Sequence, residues 1–267
     1  MKKLMILGIA TSLLAVSSCS TVPLTGRSRL SLVDDTQLQQ QAAIGYQQLL
    51  SDPSTKVVST NSANTQMVKR VGAKIAAAVT QYMNQNGHAD QIKSYKWEFN
   101  LIESKEINAW CMPGGKVAIY TGILPVTKDE AGLATVMGHE IAHAIAQHSA
   151  ERASHMTAAQ VGSAAVGVAT SNSKYANYIN QAYGIGGQLV ILNYGRNQEL
   201  EADKMGLSFM AMAGYNPQTA IGFWQRMAQA GSGAAKPPVF LSTHPSDDQR
   251  IARIQRDLPE AMKYYKK

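Results

Sequence analysis

Apolar positions recur with helical spacing over most of this chain and with strand spacing in one stretch. The strongest helical pattern runs from about 129 to 152, with Leu133, Val136, Met137, Ile141 and Ile145 as its apolar positions and no proline inside. A second stripe, Met67, Val71, Ile75 and Val79, predicts a helix over about 65–83 that Asn86-Gly87 stops. Asp34-Asp35 offers an N-cap to a Gln-rich helix over 35–51, which ends before Pro53. Between these helices and the first pattern lie three β-forming runs, 97–102, 107–112 and 116–121. Pro113-Gly114-Gly115 separates the last two, so they read as a hairpin. Later patterns predict helices over 193–210 and from Asn216-Pro217 through Phe223, Trp224 and Met227. Ser246 caps a last one through Ile251 and Ile254. Residues 155–195 read as a helical hairpin with its tip near Ser171-Asn172-Ser173, serving as core packing, as a lid or as a membrane-touching surface. The fold class is α+β: a mostly helical domain over 34–267 with a small sheet beside its central helix. A chain of 267 residues that is 45% hydrophobic has enough apolar material for one core.

The first 18 residues read as a signal peptide. Lys2-Lys3 is the positive start, and the apolar run Leu4 to Val16 is too short to span a bilayer. Val16-Ser17-Ser18-Cys19 resembles a bacterial lipobox, which implies cleavage before Cys19 and a lipid on its thiol; secretion with a free Cys19 is the competing reading. Residues 19–33 then form an extended, lipid-anchored tether with a turn at Thr25-Gly26. The expected location is the bacterial cell envelope, and Ser20 fits an outer-membrane anchor facing the periplasm. With Cys19 acylated, only Cys111 is left and no internal disulfide can form. Cys111, inside an apolar run, reads as a buried small hydrophobe.

The net charge of +7 falls to +5 without Lys2 and Lys3, with 25 − 2 = 23 basic against 18 acidic residues. Basic residues do not cluster, which argues against a nucleic-acid partner; the surplus serves solubility and weak attraction to anionic lipid.

The chemistry concentrates in His139-Glu140-Ile141-Ala142-His143. Helical residues four apart share a face, so His139 and His143 can offer two imidazole nitrogens to one zinc ion. Glu140 lies about 100° round the helix, outside the ligand shell and placed to act as general base toward water at the metal. Gly138 permits close approach of another backbone. A catalytic zinc takes three protein ligands. The pattern H-E-x-x-H-x-x-G-x-x-H fails here at Ala146 and Ser149. His148 and His155 fall off the ligand face and read as solvent-facing or second-tier. A carboxylate on a second helix is the better third ligand. Glu199 and Asp203 are four apart, with Arg196 one turn earlier; one can bind metal while another holds a ligand histidine by its free N–H. Glu201 points about 200° away from Glu199.

With Arg196-Asn-Gln-Glu199-Leu-Glu201-Ala-Asp203 following the first motif, the chain resembles the HtpX, BepA, LoiP and Oma-type membrane-linked zinc metallopeptidases, a group that includes the CAAX prenyl proteases. Pro23-Leu-Thr-Gly-Arg27, Asn108-Ala109-Trp110 through Pro113-Gly114-Gly115, and Thr243-His244-Pro245 with Arg250 resemble three further motifs of that family; Trp110 stands where Phe is usual. The resemblance implies a zincin-type domain with one zinc held by His139, His143 and Glu199, and Glu140 as base. It makes Asp203 and Arg196 supporting residues, and brings His244 into the site to stabilise the oxyanion or to cap the metal. It implies protein or peptide substrates aligned by the strand at Asn108 and Ala109, and an endopeptidase acting on misfolded or membrane-associated proteins. The alternative is a capped-site chaperone or assembly factor for outer-membrane proteins. The helical repeats of longer periplasmic members are not found in this sequence.

Overall fold

The computed structural model describes residues 19–163, 195–232, 238–244 and 249–266. The expected signal peptide, the part of the expected helical hairpin over 164–194 and the Ser246 cap lie outside the described residues.

Strands β1 (Cys19–Thr21) and β2 (Ser28–Leu30) pair antiparallel. Helix α1 (Asp35–Ser51) begins where Asp34 accepts the amides of Thr36 and Gln37. Helix α2 (Ala63–Gln85) is capped by Ser62 and ends at Gly87, which has the positive φ of 79° that glycine tolerates. A short helix α3 (Ala89–Ile92) leads into the sheet β3 (Glu98–Ile102), β4 (Ala109–Met112) and β5 (Lys116–Tyr120). Its order is β3-β5-β4, with β5 parallel to β3 and antiparallel to β4, so β4 is an edge. Gly115 turns the hairpin at φ 84°, and a Cβ there would lie 2.7 Å from the Trp97 ring.

A single turn, α4 (Leu124–Thr127), precedes α5 (Glu130–Ile145), capped by Asp129. The continuous helix expected over 129–152 is two helices: α5 stops at Ile145 and α6 (His148–Ser163) starts in a new direction. Gln147 makes the break with φ 55°. Its side chain explains the cost being met: it accepts from Arg29 of β2 and donates to Asp35 at 3.0 Å. Helices α7 (Arg196–Met212), α8 (Thr219–Gly231), α9 (Val239–Thr243) and α10 (Arg250–Met262) complete the described residues. No helix among them is long and apolar enough to cross a membrane.

Alternation along β4 and β5 builds two cores. Ala109, Cys111, Val117 and Ile119 face the main core with α2, α5 and α7, whereas Trp110, Met112, Ala118 and Tyr120 face α1 through Leu38, Ala42 and Tyr46. Each fully buried Val, Ile or Met contributes about 1.5–3 kcal/mol. Helix α5 is the centre, packed against α2, β4, α7 and α8; its residues from Gly132 to Ile145 are all buried. Cys111 is a buried, free thiol in this core. The segment expected as an extended tether is instead a hairpin docked on the domain: Ser154 Oγ accepts the amides of Leu32 and Val33 at 2.9 and 3.1 Å.

Candidate metal centre

The site forms where α5 and α7 touch backbone to backbone. A Cβ on Gly138 would stand 2.8 Å from the Gly206 carbonyl oxygen, and one on Gly206 would stand 2.8 Å from the His139 amide. This pair of glycines lets the two helices close up by a side-chain thickness. It brings the first turn of α7 to the middle of α5, and Gly138 is the half of the contact the sequence exposes.

His139 and His143 lie one above the other, their Nε2 atoms 3.1 Å apart. The Glu199 carboxylate faces both, with Oε2 3.5 Å from His139 Nε2 and Oε1 3.3 Å from His143 Nε2. His244, at the end of α9, joins them: one ligand atom from each of the four buried residues lies within 4.8 Å of the others. Its ring stacks on Phe240 at 4.6 Å, and its Nδ1 is 2.7 Å from Thr243 Oγ1 and 3.3 Å from the Phe240 carbonyl. Glu140 is beside the cluster, with Oε1 3.4 Å from His244 Nε2. The cluster fits a metal ion on its own chemistry. Neither buried Glu199 oxygen makes a well-formed hydrogen bond; Arg250 stands 3.4 Å from Oε2 on one side, and the face toward the two imidazole Nε2 atoms is the one a metal ion would satisfy.

Without metal, protons take up that imbalance. Burial disfavours charge on His139, but Asp203 and Glu199 outweigh it and raise the ring to about 9. Burial holds His143 well below 6.5, lowers His148 and takes His244 down to about 4. Burial opposes charge on Glu199, yet the surrounding imidazoles hold it well below the usual carboxylate range. Burial raises Glu140 to about 8, against the pull of His139, Arg250 and the Cys111 amide.

The second tier differs from expectation in one residue. Asp203 Oδ1 stands 3.0 Å from His139 Nδ1, on the side away from the cluster. Arg196, expected beside it, is exposed: it opens α7, where side chains tilt back toward the helix start and away from the packed turn. Arg250 of α10 takes that place, fully buried, with Nη2 2.7 Å from Asp203 Oδ1 and 3.4 Å from Glu199 Oε2. Its guanidinium lies 3.4 Å over the Trp224 ring. Only its place seven residues after Thr243 marked it in the sequence. His155 is exposed, whereas His148 is fully buried and reaches His143 from behind, Nδ1 to Nδ1, at 2.8 Å.

Asn108 and Ala109 are buried at the start of β4. The Ala109 amide donates to Asn108 Oδ1 at 2.9 Å, and the Cys111 amide donates to the Glu140 carboxylate. The Ile107 carbonyl accepts the Phe240 amide at 3.1 Å, so α9 covers that end of the strand.

Comparison with known proteins matches this arrangement. A metalloendopeptidase OMA1 of Schizosaccharomyces pombe mitochondria is 33% identical over 240 residues, covering 90% of this chain and 66% of that protein. Human mitochondrial metalloendopeptidase OMA1 is 29% identical over 252 residues, covering 90% of this chain and 46% of its own. The β-barrel assembly-enhancing protease of Escherichia coli is 28% identical over 186 residues, covering 65% and 38%. The chain thus spans less than two thirds of the length of these relatives. The sequence profile of the metal-dependent peptidase family M48 matches residues 63–257, which take in α5, α7, His244 and Arg250. A match of that extent, over the two helices that set a pair of histidines and a glutamate around one point, makes the chain a member of peptidase family M48.

Proposed function

We propose that the chain is a zinc-dependent endopeptidase. One observation carries this reading: His139, His143 and Glu199 converge within one buried cluster that has Glu140 at its side. Those three side chains would hold the ion, and zinc, when bound, supplies a Lewis acid that eases deprotonation of water and polarises a peptide carbonyl. Glu140 takes one proton from the attacking water as its oxygen bonds to the carbonyl carbon. It then delivers that proton to the nitrogen as the C–N bond breaks, releasing an amine and a carboxylic acid that keeps the water's other hydrogen. Asp203 orients His139, and Arg250 holds Asp203. The free edge of β4 would align an extended substrate by backbone hydrogen bonds once α9 moves aside.

The expected setting is a bacterial envelope, with the chain anchored by a lipid on Cys19 and facing the periplasm. The signal-like first 18 residues and the lipobox-like Val16-Ser17-Ser18-Cys19 support this. So does the relationship to a β-barrel assembly-enhancing protease. Misfolded or membrane-associated proteins are the substrates this setting suggests.

Glu140→Gln tests the reading. It is expected to retain one zinc per chain and to lose roughly 10²–10⁴-fold of the rate on an unfolded protein such as casein. Wild-type cleavage without zinc, or full activity in the variant, overturns it. A second reading, a capped centre with little proteolysis and a chaperone role, is favoured by His244 lying within ligand reach of the cluster. His244→Ala separates the two: faster cleavage marks His244 as a cap, slower cleavage marks it as a participant.

A further inference from the structure

Behind His143, on the side away from the cluster, lies a polar relay that runs to the N-terminal hairpin. His143 Nδ1 is 2.8 Å from His148 Nδ1, and His148 Nε2 is 3.0 Å from Glu201 Oε2. Glu201 also accepts from Arg27 Nε at 2.8 Å and from Thr25 Oγ1 at 2.5 Å. Arg27 in turn grips Glu151 with two nitrogens, at 2.6 and 2.9 Å, and Gln198 donates to Glu151 at 2.8 Å. His148, Glu201 and Glu151 are buried.

Donor and acceptor rules fix the protons along this relay. A carboxylate tied to a guanidinium accepts only, so the hydrogen between Glu201 and His148 sits on His148 Nε2. A neutral imidazole with its hydrogen on Nε2 has a lone pair on Nδ1. The short Nδ1–Nδ1 contact then needs a hydrogen from His143. That leaves His143 Nε2 without one, facing His139 and Glu199. The break between α5 and α6 makes this possible, because an unbroken helix would carry residue 148 about 140° round from residue 143.

We propose that His148 and Glu201 are positioning residues that keep the proton of His143 on Nδ1 and so present its Nε2 as a metal ligand, and that Arg27 and Thr25 hold Glu201 in that role. This rests on the metal-centre reading above. It gives the Thr25-Gly26-Arg27 turn a task at a site it does not touch. It also gives His143 an imidazole support, where His139 has the carboxylate of Asp203.

The test uses the full chain, as wild type, His148→Leu and His148→Asn, and reads zinc affinity by chelator competition alongside the melting temperature of the metal-free protein. Leu removes the acceptor and is expected to weaken zinc about 10–100-fold. Asn keeps an acceptor oxygen near the Nδ1 position and is expected to recover most of that loss. Long-range ¹H–¹⁵N spectra of the metal-free wild type are expected to show His143 as the Nδ1–H tautomer, a readout that holds even if the Leu variant does not fold. An Nε2–H tautomer, or unchanged zinc affinity in His148→Leu, overturns the relay while leaving the metal centre intact. A wild type that takes up no zinc overturns both.

Discussion

Glu140 shows most sharply what burial does to a single residue here. Its carboxyl is raised to about 8, so in metal-free protein the neutral acid is the favoured form. A group raised in this way contributes stability that is full below its ordinary value and is lost as pH rises through the folded one. His139, raised to about 9, acts in the same direction. His143, His148 and His244, held low by burial, act the other way below pH 6.5, so metal-free protein is expected to lose stability between about pH 7 and 9. Glu140→Gln, which cannot ionise, should flatten the lower part of that decline, so its advantage over the parent in thermal melts grows with pH. An advantage that shrinks as pH rises contradicts the assignment. His139 and His143 were legible from their four-residue spacing because a helix converts spacing directly into a shared face, and Glu140 from its place beside them; spacing left Glu199 and Asp203 as equal candidates, and the family resemblance chose between them. Arg250 entered only as one letter of a family motif and His148 only as a solvent-facing or second-tier residue, since the roles of both depend on where separate helices come to rest.

At the scale of elements, the contact of α5 with α7 decides whether a site exists. Gly206→Ala puts a methyl group 2.8 Å from the His139 amide and 3.0 Å from the Gly138 carbonyl carbon. Backbone cannot yield there as a side-chain end can, so the helices must part. A loss of about 1–3 kcal/mol is expected, read as a lower melting temperature, together with weaker metal binding as Glu199 withdraws from the histidines. Unchanged metal affinity would mean that the close approach is not what sets the ligands. Helix existence and most boundaries followed from the apolar pattern: α1 spans the expected residues, and α2 exceeds its expected span by two at each end. The division of α5 from α6 did not follow, because neither Gly nor Pro marks it. Arg29 and Asp35, distant in sequence, hold Gln147 in its positive φ.

For the whole molecule, the hairpin at the N-terminal end is stitched into the domain it was expected only to tether. Glu201 is held down to about 2 because Arg27, Thr25 and His148 outweigh its burial. A depressed carboxylate contributes stability that is present above its ordinary value and is lost as pH falls through the folded one. Arg27→Ala is expected to destabilise the protein by about 2 kcal/mol at neutral pH. The gap to the parent should close as pH drops from 5 toward 2; a gap that widens in acid would mean that Arg27 acts otherwise. Zinc, in turn, should raise the melting point, with about 2.7 kcal/mol gained at a hundred times its dissociation constant; no rise on adding the metal argues against the site.

The stitching also bears on the order in which the chain is made. Ribosomes deliver the Thr25-Gly26-Arg27 turn early, then both histidines, and Glu199 and Glu201 only much later. Until that late helix arrives, Arg27 has one of its two carboxylates and the histidine pair has no third member. A half-made chain therefore carries no complete centre, and the site is assembled only once the late helix has been delivered.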